Sequence, residues 1–222
     1  MKITVVLALM LALGSCKFDL GSVLNLSQLG PQQTTQDVFL NATIAFESPT
    51  TDEKTAKVVE VIGKYFVAGG DPQEKGTGVS KSFVLPIKIP LLRDTDTPDD
   101  TSVFVIEQSE DDQGTVVSLR VNEDRFNQAN DELQSVANVA AGLKEINFQF
   151  TLNNDRQAPC RLSLSSVYVD GQPVPFSEDL TVDLKQTVVL VPSNVLLDSL
   201  SGSNPMVLFR ILKDEPEPES AP

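Results

Sequence analysis

The chain has 222 residues, of which 31 are acidic and 17 are basic, and its formal net charge is −14. Phosphate groups would repel so acidic a surface, so nucleic acid is not predicted as a partner. The sequence contains no histidine, the commonest general base and metal ligand, and no Walker loop, G-x-S-x-G or C-x-x-C motif. We therefore predict that the protein is not an enzyme and needs no metal or cofactor.

Residues 1–15 have the three parts of a secretory signal peptide. Lys2 supplies the positive start, residues 3–13 form an apolar run interrupted only by Thr4, and small residues follow it. As a helix rising about 1.5 Å per residue, the apolar run would reach only ~17 Å, whereas a bilayer core is ~30 Å thick. The segment is therefore predicted to be a cleaved signal and not a membrane span.

The junction at the end of the signal peptide resembles the lipobox of bacterial lipoproteins. It consists of Leu13, Gly14, Ser15 and Cys16. The resemblance implies cleavage before Cys16, a diacylglyceryl group on its thiol and usually a third acyl chain on its amine, which together make a stable anchor. In enterobacteria-like lipoproteins an aspartate after the cysteine retains the protein in the inner membrane. Lys17 therefore implies the outer membrane, facing the periplasm. An ordinary signal peptidase could instead cut after Gly14 and leave Cys16 as a thiol.

Three regions are predicted to follow the signal peptide. Residues 16–36 would be the lipidated cysteine and a tether, residues 37–212 a single β-rich globular domain, and residues 213–222 a disordered tail. The tail is acidic and rich in proline, so it cannot bury enough apolar surface to order itself.

The first half of the domain alternates between strand and helix signals. Apolar residues recur at every second position of 37–46, which predicts a half-buried strand, whereas 51–67 has the period of an amphipathic helix. Residues 83–91 also alternate, with Pro86 and Pro90 on the opposite face. Because proline cannot donate to a β-ladder, this strand is predicted to lie at an edge or to be bulged.

The second half contains one clear helix among strands. A hairpin is predicted at 102–121 with Gly114 at its turn, and a helix begins at Asn122 and ends at Gly142. Four further strand signals follow: 146–152, 162–168 with a turn at Asp170 and Gly171, 181–191, and 206–212. These elements predict an α+β fold, mainly antiparallel β, either a sandwich or a curved sheet, with two amphipathic helices.

Two local features have competing interpretations. Cys160 is predicted to be a small buried hydrophobe, although Arg156 or Arg161 could activate its thiol or it could form an intermolecular bridge. The acidic segment 93–100 could supply oxygen ligands to calcium. It lacks EF-hand spacing because Pro98 occupies a ligand position, so a solvated turn is favoured and no metal site is predicted.

A second resemblance covers about the first ninety residues. Residues 16–20 and 23–29, followed by the strands at 38–46 and 82–91, look like a family of uncharacterised lipoproteins from phages and enterobacteria. That resemblance implies a phage or prophage origin, and it implies no activity.

Together these features favour a non-catalytic, membrane-anchored envelope lipoprotein that binds an envelope protein. The proline-containing strand at 83–91 and the acidic tail motivate this hypothesis, since both are common contact elements. One alternative is a carrier of a hydrophobic ligand, held in a groove between the sheet and the helix at 126–143. Another is a phage-encoded lipoprotein that masks a receptor or excludes superinfecting phage. The last alternative is an enzyme that uses carboxylates or serines.

Overall fold

The computed structural model describes residues 18–30, 38–47, 51–75, 82–93, 96, 101–200 and 204–213. These residues form one nearly closed sheet of 14 strands with three α-helices, so the predicted mainly β, α+β fold is confirmed. The strands are β1 (Phe18–Asn25), β2 (Val38–Glu47), β3 (Val67–Ala68), β4 (Gln73–Lys75), β5 (Ser82–Arg93), β6 (Phe104–Glu110), β7 (Gly114–Val121), β8 (Ile146–Asn153), β9 (Cys160–Leu164), β10 (Val167–Val169), β11 (Gln172–Val174), β12 (Glu178–Val182), β13 (Thr187–Pro192) and β14 (Met206–Leu212). The helices are α1 (Asp52–Tyr65), α2 (Glu123–Ala137) and the short α3 (Asn194–Asp198).

The strand order places the first strand of the chain in the middle of the sheet. The order is β11, β10, β13, β8, β1, β2, β5, β6, β7, β14, β9, β12, and the short strands β3 and β4 pair with β5. Among the described residues, β1 with β8 and β5 with β6 are the parallel pairs, and the others are antiparallel. The sequence predicted mainly antiparallel pairing and a curved sheet as one of two forms, and the structure has both.

The prediction of a tether at 16–36 is wrong for residues 18–30. They form β1 and a 3-10 turn (Leu26–Gln28), and the side chains of Leu24 and Leu26 are fully buried. Arg156 fixes the turn, because its Nε donates to the carbonyl oxygen of Leu26 at 2.8 Å. The alternation in β1 is a weak sequence signal, because polar Ser22 points inward and apolar Val23 points outward. Residues 16, 17 and 31–36 lie outside the described part of the chain.

The prediction that the proline-containing strand lies at an edge or is bulged is also wrong, because β5 is an inner strand and its register with β2 is continuous. β5 pairs with β2 through residues 82–91 on one side, and with β3, β4 and β6 on the other. The carbonyl oxygen of Pro86 accepts from the Gly69 N–H at 2.9 Å, so the backbone polar groups of Pro86 point away from β2. Pro90 lies four residues farther along the strand, so its backbone polar groups point to the same side as those of Pro86. The missing donors therefore fall on the side where only short strands pair, and the ladder to β2 stays intact.

Both predicted helices are present, and one of them ends earlier than predicted. Thr51 caps α1, and Asn122 caps α2 by accepting from the Arg125 N–H at 3.1 Å. The helix α2 ends at Ala137, not at Gly142, because Asn138 adopts a left-handed conformation with φ 58° that terminates it. Within the described residues, no helix is long and apolar enough to cross a membrane.

The predicted turns of the hairpins are confirmed. Asp111 accepts from the Gly114 N–H at 2.9 Å at the turn between β6 and β7. Asp170 and Gly171 both have positive φ, as a type I′ turn requires, between β10 and β11. The single strand predicted at 181–191 is wrong, because a turn separates β12 from β13.

An aromatic cluster joins both long helices to the concave side of the sheet. The ring of Phe104 on β6 lies 5.8 Å from Phe66 beside α1, 6.4 Å from Phe126 on α2 and 5.7 Å from Phe148 on β8, edge-on in the last case. Such aromatic pairs stabilise a core beyond the area that they bury. This side of the sheet is therefore packed, whereas alternate residues on the other side of β8 are exposed.

Candidate functional site

The solvent-facing side of β8, β1, β2 and β5 is the most distinctive surface of the described chain, and we call it the outer face. Successive side chains of a strand point to opposite sides, so each of these strands gives alternate residues to the core and to the outer face. The outer-face residues are Asp19, Gly21, Val23, Asn25, Phe39, Asn41, Thr43, Ala45, Glu47, Val84, Pro86, Lys88, Asn147, Gln149, Thr151 and Asn153. Most of them carry amide, hydroxyl or small apolar side chains.

A trough of about 400 Å³ crosses the outer face at Gly21. Gly21 is paired with Thr43 of β2 on one side and with Gln149 of β8 on the other, and Thr43 is paired in turn with Pro86 of β5. A Cβ atom at Gly21 would lie 3.2 Å from the Thr43 Oγ1. The absence of a side chain at this central position is therefore what opens the trough.

Neutral polar side chains form the two walls of the trough. Asn41 and Thr43 stand on the β2 side, and Gln149 and Thr151 stand on the β8 side. Within the described residues, no hydrogen bond uses the side-chain polar groups of these four residues. They are therefore available to a ligand.

Hydrogen bonds between β1 and β8 order the two ends of the outer face. Asn147 Nδ2 donates to Asp19 Oδ1 at 3.2 Å, and Asn153 Nδ2 donates to Asn25 Oδ1 at 3.1 Å. Both pairs follow from the parallel register of the two strands, in which residue 19 lies beside 147 and residue 25 beside 153. The trough lies between these pairs.

The floor of the trough is held by the hydrophobic core. Leu20, Ile44 and Phe148 lie on the inner side of the same strands and are 2%, 5% and 1% exposed. Closely packed interiors resist deformation, so the positions of the outer-face side chains are fixed by the sheet and not by loops.

A second and larger groove, of about 770 Å³, lies where the 3-10 turn after β1 meets the loop at 155–159. Its charged side chains already hold the fold together. Asp155 accepts from the N–H and Oγ of Ser27 at 2.8 and 2.5 Å, and Arg161 contacts Asp179 at 3.2 Å. Burial raises the pKa of Asp155, but the hydrogen bonds from Ser27 and the nearby Arg156 outweigh it and leave the pKa below its ordinary value. This groove therefore has a structural explanation that the outer face lacks.

A small apolar cavity, of about 60 Å³, lies between α1, α2 and the sheet. Phe18, Phe66, Phe104 and Leu133 are among the residues that line it. For comparison, an engineered apolar cavity of about 150 Å³ holds a benzene molecule. In this conformation the cavity is too small for an acyl chain.

A family model described as "Domain of unknown function (DUF7424)" matches residues 18–213. The chain belongs to the DUF7424 family. The match includes every described strand, so the outer face is built entirely within this DUF7424 domain. No curated protein and no solved structure matches the chain.

The predicted site residues of this DUF7424 protein belong to the segment that precedes β1. Leu13, Gly14, Ser15 and Cys16, which form the predicted cleavage and lipidation site, lie outside the described residues, as does the tail at 214–222. The lipid anchor therefore stays a prediction.

The other two local features can be placed in part. Cys160 is 4% exposed, and this burial favours the interpretation as a small buried residue over the reactive one. Arg156 Nη1 lies 3.9 Å from its Sγ, but the same guanidinium donates to the carbonyl oxygens of Leu26 and Leu29. In the acidic segment 93–100 the structure describes Arg93 and Asp96, where Asp96 Oδ2 accepts from the Arg93 N–H at 2.8 Å. Among the described residues, no group of side chains could hold a metal ion.

One wall of the trough has a recognisable signal in the sequence. Asn147, Gln149, Thr151 and Asn153 alternate with the apolar residues of β8, and a run of neutral polar residues is unusual in so acidic a chain. The other wall could not be found in this way, because β2 lies about a hundred residues earlier in the sequence.

Proposed function

We propose that this DUF7424 protein is a non-catalytic lipoprotein, anchored in the bacterial envelope through Cys16, that binds a partner through its outer face. The observation that carries the proposal is the exposed trough of about 400 Å³, with neutral polar walls on a floor of packed core. A site on rigid strands with unused hydrogen-bonding groups is suited to recognition. The proposal includes no chemical step.

The start of the sheet defines how an anchored molecule would sit. Cys16 is two residues before Phe18, the first residue of β1, and two extended residues span at most about 7 Å. Acyl chains on Cys16 would therefore hold this end of the sheet close to the bilayer surface. Along β1, Asp19 is nearest to the anchor and Asn25 is about 20 Å farther away, at ~3.3 Å per residue.

Labelling of cells with radioactive palmitate tests the anchor. The native chain is expected to take up label and to fractionate with the outer membrane, facing the periplasm, whereas Cys16→Ser is expected to lose both properties. Lys17→Asp is expected to keep the label and to move to the inner membrane. A soluble, unlabelled native chain would contradict the proposal.

Photo-crosslinking in intact cells tests the partner. A benzophenone side chain placed at Val23, which is 45% exposed on the outer face, is expected to give a discrete adduct of higher mass. The matched control places the same group at Gln128, an exposed position on α2. Equal adducts from both positions, or none from position 23, would argue against a binding role for the outer face.

A carrier of a hydrophobic ligand is the second candidate, because the apolar cavity is lined by Phe18 at the anchored end of β1. An acyl chain would need α1 and α2 to move away from the sheet. Native mass spectrometry of the Cys16→Ser variant, purified without detergent, distinguishes this candidate. A bound lipid would support it, and an empty chain would count against it.

A further inference from the structure

We infer that the outer face binds a neutral carbohydrate polymer, with the trough at Gly21 as the place where sugar units sit. The inference rests on the proposed function and names the class of partner for that same site. It draws on three properties of the outer face: its charge, its hydrogen-bonding groups and its shape.

The outer face is close to neutral in a strongly acidic protein. Its charged residues are Asp19, Glu47 and Lys88, whereas the walls and floor of the trough are uncharged. A chain of net charge −14 repels anionic polymers, and a cationic partner would be drawn to its acidic surfaces elsewhere. Complementarity of charge therefore favours a partner without charge.

The hydrogen-bonding groups of the walls match those of sugars. The amides of Asn41 and Gln149 and the hydroxyls of Thr43 and Thr151 both donate and accept. Each sugar hydroxyl likewise donates and accepts. Carboxylates only accept hydrogen bonds and ammonium groups only donate them. A charged wall would therefore satisfy either the donor or the acceptor capacity of a sugar hydroxyl, but not both.

The shape of the outer face suits a linear polymer. A trough of about 400 Å³ lies in the range of small-molecule sites, which is roughly 300–1,000 Å³. Val23, which is 45% exposed, and Pro86 line the trough, and Phe39 on the outer face is 40% exposed. These apolar side chains could pack against the C–H faces of sugar rings while the amides bind hydroxyls.

Binding of polysaccharides to the acylated, full-length protein tests this inference. The protein is placed in phosphatidylethanolamine vesicles on a lipid-coated sensor, and dextran, laminarin, mannan and galactomannan are passed over it. At least one of these neutral polymers is expected to bind, and polygalacturonate, which is anionic, is expected to bind at least about tenfold more weakly.

Matched variants locate the binding. The double variant Asn41→Ala/Gln149→Ala is expected to bind at least about tenfold more weakly, and so is Gly21→Leu, which fills the trough. Gln128→Ala, which removes an exposed amide from α2, is expected to bind like the native chain. Thermal unfolding shows whether each variant is folded, and the double variant keeps the test valid if Gly21→Leu is not.

Three results would overturn the inference: no binding of any neutral polymer, equally tight binding of polygalacturonate, or full binding by the folded double variant. The adduct at position 23 separates this failure from failure of the proposed function. A protease-sensitive protein adduct without polysaccharide binding would leave the proposed function standing with a protein partner. The absence of any adduct would remove both.

Discussion

The inner and outer faces of β8, β1 and β2 are formed by alternate residues of the same strands, yet they differ in most physical properties. On β8, Phe148 is 1% exposed against the aromatic cluster, and its neighbour Gln149 stands in the solvent-exposed wall of the trough. On β1, buried Leu20 precedes Gly21. The side chains of the inner face are large and apolar, whereas those of the outer face are mostly small or polar and carry few charges.

This difference indicates that stability and recognition are assigned to opposite sides of one sheet. Burial of apolar surface stabilises the fold by roughly 25 cal/mol per Å², and only the inner face buries much of it. The outer face contributes little to the free energy of unfolding, so its residues can be chosen for a partner. Variants of adjacent residues should therefore separate the two properties.

The largest expected effect comes from the inner face. Phe148→Ala should lower the free energy of unfolding by about 3–5 kcal/mol, because it removes a buried ring and leaves a cavity beside Phe104. Urea denaturation measures the change. The control is Phe39→Ala, which deletes the same side chain from the outer face, where it is 40% exposed, and should cost less than half as much. Equal costs would contradict the division of roles.

The next largest effect is the loss of a partly buried arginine, which we compare with the loss of an exposed one. Arg156→Ala should cost about 1–3 kcal/mol, because the carbonyl oxygens of Leu26 and Leu29 lose the guanidinium that donates to them. Arg161→Ala breaks an exposed ion pair with Asp179 and should cost at most about 1 kcal/mol. Chemical denaturation of both variants decides the point. A negligible cost at Arg156 would mean that the turn after β1 is not fixed as the structure indicates.

A smaller effect depends on pH. The pKa of Asp155 is lowered below its ordinary value of 3.8 in the folded protein, so its carboxylate stabilises the fold above that value. That contribution is lost as the pH falls through the lowered pKa. Asp155→Asn should therefore be less stable than the native chain at pH 7, and the difference should shrink on acidification below about pH 4.

Denaturation midpoints of Asp155→Asn and of the native chain between pH 7 and 3 measure this dependence. Ser27→Ala removes the hydroxyl donor to Asp155 and is expected to reduce the same difference. Parallel pH curves for the native chain and Asp155→Asn would show that the carboxylate makes no contribution.

The smallest expected effect is on the outer face. Asn41→Ala/Gln149→Ala should change the free energy of unfolding by no more than about 0.5 kcal/mol per site, as is usual for surface substitutions. Thermal or urea unfolding checks this directly. A large loss of stability would mean that the walls of the trough support the fold, and the division between the two faces would fail.

The sequence predicted those elements whose signals are local. The period of α1, the cap at Asn122 and the turn at Asp170–Gly171 each depend on residues within a few positions of one another, and all three are present. The end of α2 was misplaced, because Asn138 could terminate a helix as well as Gly142 could and nothing local distinguished them.

The two larger errors concern the position of a strand in the sheet. The prolines of β5 predict a strand that is at an edge or bulged, and the weak apolar signal of β1 predicts a tether. The parallel pairing of β1 with β8 joins residues 128 positions apart, as in Asn153 and Asn25. Local propensity contains no information about such a pairing.

The sequence by itself determined the acidic charge, the predicted signal and lipidation site, the mainly β composition and the alternation that makes one side of β8 polar. These properties follow from residue type and short-range periodicity. Only the tertiary structure decided which strands are neighbours, and hence that Thr43, Gly21 and Gln149 lie in one row. Register between distant strands is fixed when their apolar sides are buried together, and the trough on the other side is a consequence of that burial.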